Sequence, residues 1–201
     1  MEKYRYLKPI TMPRGKNYGS NYWLYYSRKI GRKVTAYSNL EYDNLISLEM
    51  NANIEYYCEQ PCKAEVFYDG EMNITVFDVY VFYKDKREEM QEIKYSFDLC
   101  SDRAIKQHEV QKNWCLQNEI DLAIRTEKEI MPGNYTSRNN AWLASKVRRR
   151  DNTEYSENAH LLLNYIRSKG SITIGMLITS GRLSELNGIS YLAELFYRGK
   201  I

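Results

Sequence analysis

Between residues 54 and 95 the chain carries segments that suit extended backbone, and this block constrains the fold more than anything else in the sequence. Ile54 to Cys58, Ala64 to Tyr68 and the long Ile74 to Tyr83 are rich in β-branched and aromatic residues and are separated by Gln60-Pro61 and Asp69-Gly70. Glu88 to Tyr95 follows a charged turn at Lys84 to Arg87. Upstream, Ser38 is followed three residues later by Glu41 and then by apolar Leu45, Ile46 and Leu48, the signature of a capped helix over about Asn39 to Met50. Downstream, Asp102 to Glu119 has helical spacing (Ile105, His108, Val110, Trp114, Cys115), and Ile120 to Arg125 is a short apolar strand. Helix, strands, helix, strand predicts an α/β fold built on a mixed sheet. With 201 residues, 43% of them hydrophobic, the chain can bury one core of roughly 100 to 150 residues and a small appendage.

Residues 1 to 37 form a basic, aromatic lead-in, irregular around Pro9, Pro13, Gly15 and Gly19, with extended segments at Tyr22 to Tyr26 and Val34 to Tyr37. The core is predicted over 38 to 131. Pro132 to Asn140 reads as a polar linker, and 132 to 201 as a helical appendage. There Asn158 to Ser168, Thr173 to Thr179 and Leu183 to Tyr197 are separated by single glycines in a helix-turn-helix pattern. The N-terminus has no apolar leader-like run, and no stretch approaches the roughly 18 apolar residues of a membrane span, which predicts a cytoplasmic protein without membrane contact. The cysteines (58, 62, 100, 115) read as reduced thiols; Cys58 and Cys62 could ligate a soft metal, but no second pair completes a zinc site. Nineteen tyrosines against five phenylalanines imply aromatic surface facing solvent or ligand, and a net charge of +3 does not by itself announce a polyanion partner.

Asp78 interrupts Thr75-Val-Phe-Asp-Val-Tyr-Val81, where an ionised carboxylate is costly unless paired or metal-bound. Fourteen residues on, Glu92 and Lys94 are two apart, so on a strand both side chains share a face with Ile93 on the other. If the two strands form a hairpin, parity matters. Asp78 joins Glu92 and Lys94 on one face when the loop has an odd length, such as three residues over Lys84 to Lys86, whereas a two-residue loop pairs it with Ile93. Two carboxylates hold a hard cation such as Mg²⁺ while most of its shell stays water and phosphate, and a lysine beside them can orient a water or neutralise charge on a phosphorane.

With these residues in view, the sequence resembles the TnsA endonucleases of heteromeric transposases, members of the PD-(D/E)xK nuclease superfamily. The resemblance is carried by Tyr37 to Glu49 (YSNLEYDNLISLE), Glu55 to Pro61 (EYYCEQP), Thr75 to Val81 and Glu92-Ile-Lys94, with Glu109 to Trp114 and Asp121 to Ile130 after them. It spans about Arg28 to Ile130, with Phe77 where the name motif has proline. It implies a restriction-endonuclease-like core followed by a helix-turn-helix or winged-helix-like unit. It also implies catalytic roles for Glu41, Asp78, Glu92 and Lys94, and Mg²⁺, replaceable by Mn²⁺, held by Glu41, Asp78, Glu92 and the Ile93 carbonyl. The implied activity is cleavage of one strand, the 5′ ends, at transposon ends in duplex DNA in the bacterial cytoplasm. Its implied partners are a separate transposase subunit and an ATP-dependent regulator.

Other readings stay open. Glu41 is also where a capping-box glutamate belongs. Glu49, two turns on, is either an alternative third acid or an ordinary exposed helix residue, and Gln60 is a strand-end contact that the resemblance moves to the wall of the site. His108 and His160 are assigned nothing. Lys146, Arg148, Arg149 and Arg150 form either a solvated helix face or a phosphate contact, and Arg182, with Ser184, Glu185 and Asn187, stands at the start of a possible recognition helix. The same core would also serve a restriction-type or phage-defence nuclease, or a non-catalytic DNA-binding assembly protein.

Overall fold

The computed structural model describes residues 4, 7–10, 21–133, 135–147, 153–183 and 188–201, the first four residues of the helix that starts at 153 by backbone only. In chain order the elements are β1 (Trp23–Ser27), β2 (Arg32–Ala36), α1 (Asn39–Met50), β3 (Ile54–Glu59), β4 (Lys63–Tyr68), β5 (Glu71–Val76), β6 (Val79–Tyr83) and β7 (Glu88–Ile93). A 3-10 turn at Ser96–Asp98 leads to α2 (Asp102–Gln117), β8 (Asp121–Arg125), α3 (Glu127–Ile130), α4 (Thr136–Lys146), α5 (Thr153–Lys169), α6 (Ile174–Thr179) and α7 (Gly188–Tyr197).

The chain is thus a mixed α/β protein. Its central sheet has the order β3-β6-β7-β8, with β3, β6 and β7 antiparallel and β8 parallel to β7. The parallel pair follows from the α2 crossover between β7 and β8. Strand alternation splits the core into two layers. Tyr57, Val79, Val81 and Ile93 meet Leu40, Leu45 and Leu48 of α1, whereas Cys58, Tyr80, Phe82 and Met90 meet Trp114 and Cys115 of α2. One helix covers each face. α1 starts where the Ser38 hydroxyl accepts from the Glu41 amide at 3.1 Å, and α2 where Ser101 accepts from Ala104 at 3.3 Å.

The extended segment expected over Ile74 to Tyr83 is two strands. Chain direction changes at Phe77-Asp78: β5 pairs with β4 in a separate hairpin, β6 with β3 and β7 in the central sheet. The partner bend is at Gln60, whose φ is 35° and whose amide donates to the Asp78 carbonyl at 2.8 Å. Of residues 74–83 only Asp78 disfavours a strand, and it reads as a charge, not as a break.

Beyond β8 the described residues form helices only, with no strand that would serve as a wing. The expected linker is shorter than Pro132 to Asn140, because α4 already begins at Thr136; Ser137 bonds Asp43 of α1, and both α4 and α7 pack on α1. α5, α6 and α7 share a core of Ala159, Leu162, Leu163, Leu177, Leu183, Leu192 and Leu195. The last helix begins at Gly188 rather than Leu183. Leu183 is a buried plug, and a Cβ on Gly188 would lie 2.6 Å from the Leu183 Cα, so only glycine allows this approach. Among the described residues no helix is long and apolar enough to cross a membrane.

Candidate active site

The β6–β7 hairpin closes through a three-residue turn, Lys84 to Lys86, in which Lys86 (φ 74°) donates from its amide to the Tyr83 carbonyl at 3.0 Å. The register that this turn sets pairs Val79 with Gln91, and the Asp78 amide also donates to the Gln91 carbonyl at 3.1 Å, so both residues face one partner where β6 begins. Asp78 stands at the point where β5 hands the chain to β6. Its carboxylate Oδ2 accepts the Ile93 amide at 2.7 Å.

Glu92 is buried, 2% exposed, and every bond to it comes from a flexible donor. Gln107 and Gln111, one turn apart on α2, donate to its two oxygens at 2.9 and 2.7 Å, and the Lys94 ammonium reaches Oε1 at 3.3 Å. Lys94 also donates to Gln107 Oε1 at 3.3 Å, so lysine and glutamine brace the same carboxylate. The glutamine pair was not singled out from the sequence, although spacing of four on a helix facing the Glu92 side of β7 is the signal that would have found it.

Electrostatics set this cluster apart. Burial, then Glu92, then Glu41 push the Asp78 carboxyl well above the ordinary carboxylate range, against the pull of the Ile93 amide and Lys94. Burial likewise raises Glu92, opposed by the Gln111 bond and Lys94, with Glu41 adding to the rise. Glu41 itself is raised by burial while the Tyr37 amide, Ser38 and the Gln60 side chain hold it down. Three acids crowd one end of the sheet with too little positive charge among them.

Glu41 lies at the start of α1 and acts in two directions. Its carboxylate accepts the Tyr37 amide at 3.0 Å, closing the helix start, and its charge acts on Asp78 and Glu92. Gln60 does the same at the wall, through its backbone to Asp78 and its side chain to Glu41. Glu49 is neither exposed nor part of this cluster: it is 5% exposed and accepts from Ser27, Tyr57 and the Arg28 and Lys29 amides. Its position on α1 turns it toward the β1–β2 hairpin, away from Asp78.

Among the described residues, no group of three or more His, Cys, Asp or Glu side chains is arranged to hold a metal ion. What the site offers is a carboxylate pair, Asp78 and Glu92, with Glu41 acting on both through its charge. That donor set is all oxygen and holds excess negative charge, which suits a hard divalent ion that keeps most of its water shell and does not suit a soft one. The cysteines are free thiols; Cys58 and Cys115 are buried and pushed up to about 12, so neither is primed as a ligand.

The basic residues named from the sequence lie apart from this cluster. Lys146 closes α4 with its ammonium 5.9 Å from the Trp142 ring centroid, and Arg148, Arg149 and Arg150 fall outside the described residues. Arg182 is not at the start of a helix: it sits in the turn after α6, with its guanidinium 4.9 Å from the Tyr165 ring centroid, and Ser184, Glu185 and Asn187 fall outside the described residues. His108 lies beside Lys94, which together with burial lowers its proton affinity, and His160 is exposed on α5.

Fold and site together define a mixed α/β protein that keeps a cluster of strained acids and one lysine at the end of its central sheet. No family model matches the chain, and no curated protein matches it either.

Proposed function

We propose that this protein is a divalent-metal-dependent DNA endonuclease with a PD-(D/E)xK-type core, acting as the TnsA-like subunit of a heteromeric transposase. The observation that supports this reading most is the meeting of three groups at the end of the hairpin: the Asp78 carboxylate on the Ile93 amide, the buried Glu92 beside it, and Lys94 bonded to Glu92. An acid pair that repels itself has a cost the fold does not need, and a cation would relieve it.

Asp78, Glu92 and the Ile93 carbonyl would hold Mg²⁺ or Mn²⁺, with Glu41 as a third acid near it. The ion would supply Lewis acidity toward the scissile phosphate and a lower pKa for water at the site. The chain's own groups do the rest. The Ile93 amide fixes the Asp78 carboxylate, Gln107 and Gln111 fix Glu92, and Lys94 is free to turn from Glu92 toward a phosphate oxygen or the attacking water. Hydrolysis forms a bond from water oxygen to phosphorus and breaks the phosphorus bond to the leaving deoxyribose oxygen, which takes up a proton. In this reading the substrate is duplex DNA at transposon ends, the second strand is cut by a separate transposase subunit, and an ATP-dependent regulator controls both.

The test is titration of Mg²⁺ and Mn²⁺ into wild type and Asp78→Ala by calorimetry, with plasmid nicking followed on the same samples, with and without a transposase partner. Binding and nicking that both depend on Asp78 are expected. Wild-type protein that binds no divalent ion, even with DNA and partner present, overturns the reading.

A further inference from the structure

We propose that a second site, at the opposite end of the β6–β7 hairpin, binds a phosphate group. A polar cavity of about 480 Å³ opens there between the end of α1, the α1–β3 turn and the hairpin turn. Lys84, Arg87 and Arg125 line it from β6's end, β7's start and β8, and Asp85 is the one carboxylate of the lining. Asp85 is already engaged, accepting the Arg87 amide at 3.1 Å.

Among the described residues the cations are balanced only in part, Arg87 by Glu89 and Arg125 at longer range by Glu129. Among the described residues neither Lys84 nor Arg125 makes an ion pair, and the Arg125 Nε is buried with no hydrogen-bond partner. A guanidinium that only covered apolar surface with its stem would keep its nitrogens wet. Arg87 does have a partner, Glu89 at 3.2 Å, but Glu89 also accepts from Tyr83 and from Gln91. Behind the cavity Lys29 donates to the Asn51 and Ile54 carbonyls; burial lowers it to about 8, against the pull of Glu49 and with a smaller push from Lys84.

Unpaired Arg and Lys converging on one concave polar site from separate elements suit a tetrahedral oxyanion, because a guanidinium fork matches two phosphate oxygens and the ammonium a third. Asn53 and Ser47 add neutral polar groups to the wall. The volume exceeds one phosphate, so the group belongs either to a small phosphate ester or to a nucleic-acid backbone. The cavity lies at the hairpin turn on the α1 side of the sheet, whereas Glu92 is bonded to α2 and Asp78 stands at the other end of β6, so this proposal stands whether or not the chain is a nuclease.

Full-length wild type, Arg125→Gln, Lys84→Gln and Asp78→Ala are titrated with inorganic phosphate and pyrophosphate at constant ionic strength in EDTA, and Tm is followed. Wild type and Asp78→Ala are expected to rise in Tm together, with apparent affinity about tenfold or more weaker in each cavity variant, as for loss of one charged hydrogen-bonding partner. Lys84 stands on the exposed turn, so its variant reads the site even if Arg125→Gln folds poorly. Duplex binding in Ca²⁺ separates the sources: weaker binding with a shallower salt slope in both cavity variants assigns the backbone, unchanged binding a small ester. No phosphate- or pyrophosphate-dependent rise in wild type, or an equal rise in all four proteins, overturns the proposal.

Discussion

Two glutamates of this protein are buried to nearly the same degree, and their surroundings are opposite. Glu49 accepts from Ser27 at 2.5 Å, Tyr57 at 2.7 Å, the Arg28 and Lys29 amides at 3.0 and 3.1 Å and Tyr197 at 3.4 Å. It gathers β1, β3 and α7 around the end of α1, and Arg28 extends the same knot through Glu194 to Arg198. Glu92 is held by glutamines and a lysine, beside two further acids that raise its proton affinity or have their own raised by it. A satisfied buried carboxylate stabilises; a frustrated one stores an affinity for a cation or a proton. The two should therefore separate cleanly under mutation.

The largest expected effect is on chemistry. Asp78→Asn keeps an oxygen for the Ile93 amide but removes a charge, and nicking should fall about a thousandfold or more, as for loss of several kcal/mol of charge stabilisation. Unfolding in urea should show stability at neutral pH unchanged or higher, since the mutual repulsion with Glu92 and Glu41 is gone. A variant that loses activity because it unfolds would erase the contrast.

Glu49→Ala should do the reverse. It strands the Tyr57 hydroxyl and the Ser27 hydroxyl in the interior, and leaving such donors unpaired costs about 3–5 kcal/mol when a charged partner is removed. Denaturant unfolding reads the loss, and nicking per folded molecule should match wild type. If Glu49→Ala abolished metal binding while remaining folded, Glu49 and not Glu41 would be the third acid.

A smaller effect belongs to the glutamine that braces Glu92. Gln111→Leu removes a 2.7 Å bond to Oε2 without touching charge, and outer-shell contacts of this kind hold about tenfold of metal affinity. Calorimetric titration with Mn²⁺ should show that weakening with the fold intact, whereas unchanged affinity would make Gln111 a core residue only.

How far this contrast was visible beforehand depends on the range of the contacts involved. The three-residue turn and the closeness of Glu92 and Lys94 could be read because hairpin geometry is local, whereas Asp78 sits just outside the paired strand, its amide on the Gln91 carbonyl and its carboxylate on the Ile93 amide. The order of elements and the Ser38 cap were equally local. Glu49 read as either a third acid or an exposed helix residue, because groups that bury it come from 22 residues upstream in β1 and 148 downstream in α7. The break at Phe77-Asp78 was marked only by Asp78, which reads as a charge; the contact that ties it there, the Gln60 amide on the Asp78 carbonyl, comes from across the sheet. That Leu183 lies outside a helix could not be read either, because it fills a core shared with α5. Nuclease chemistry itself was read from resemblance and from the acid spacing, and remains a proposal that the strained carboxyls support.

The subtlest contrast lies within one residue, Glu41, which caps α1 and also presses on Asp78. Glu41→Gln keeps an oxygen to accept the Tyr37 amide, so helix stability should change by only a few tenths of a kcal/mol, whereas Ser38→Ala, which removes the cap acceptor, costs about 1 kcal/mol. What Glu41→Gln should change is the pH dependence. The folded-state proton affinities of Asp78 and Glu92 lie above their ordinary values of 3.8 and 4.5, so their contribution to stability is complete below those values and is lost as pH rises through the raised ones. With one like charge removed, both raised values drop back toward ordinary. Urea unfolding in EDTA at about pH 5 and about pH 8 should thus show a smaller loss with rising pH in Glu41→Gln than in wild type. Saturating Mg²⁺ should reduce the wild-type loss as well, since a cation can neutralise the deprotonated pair. An identical pH dependence in the two proteins would leave Glu41 as a cap alone.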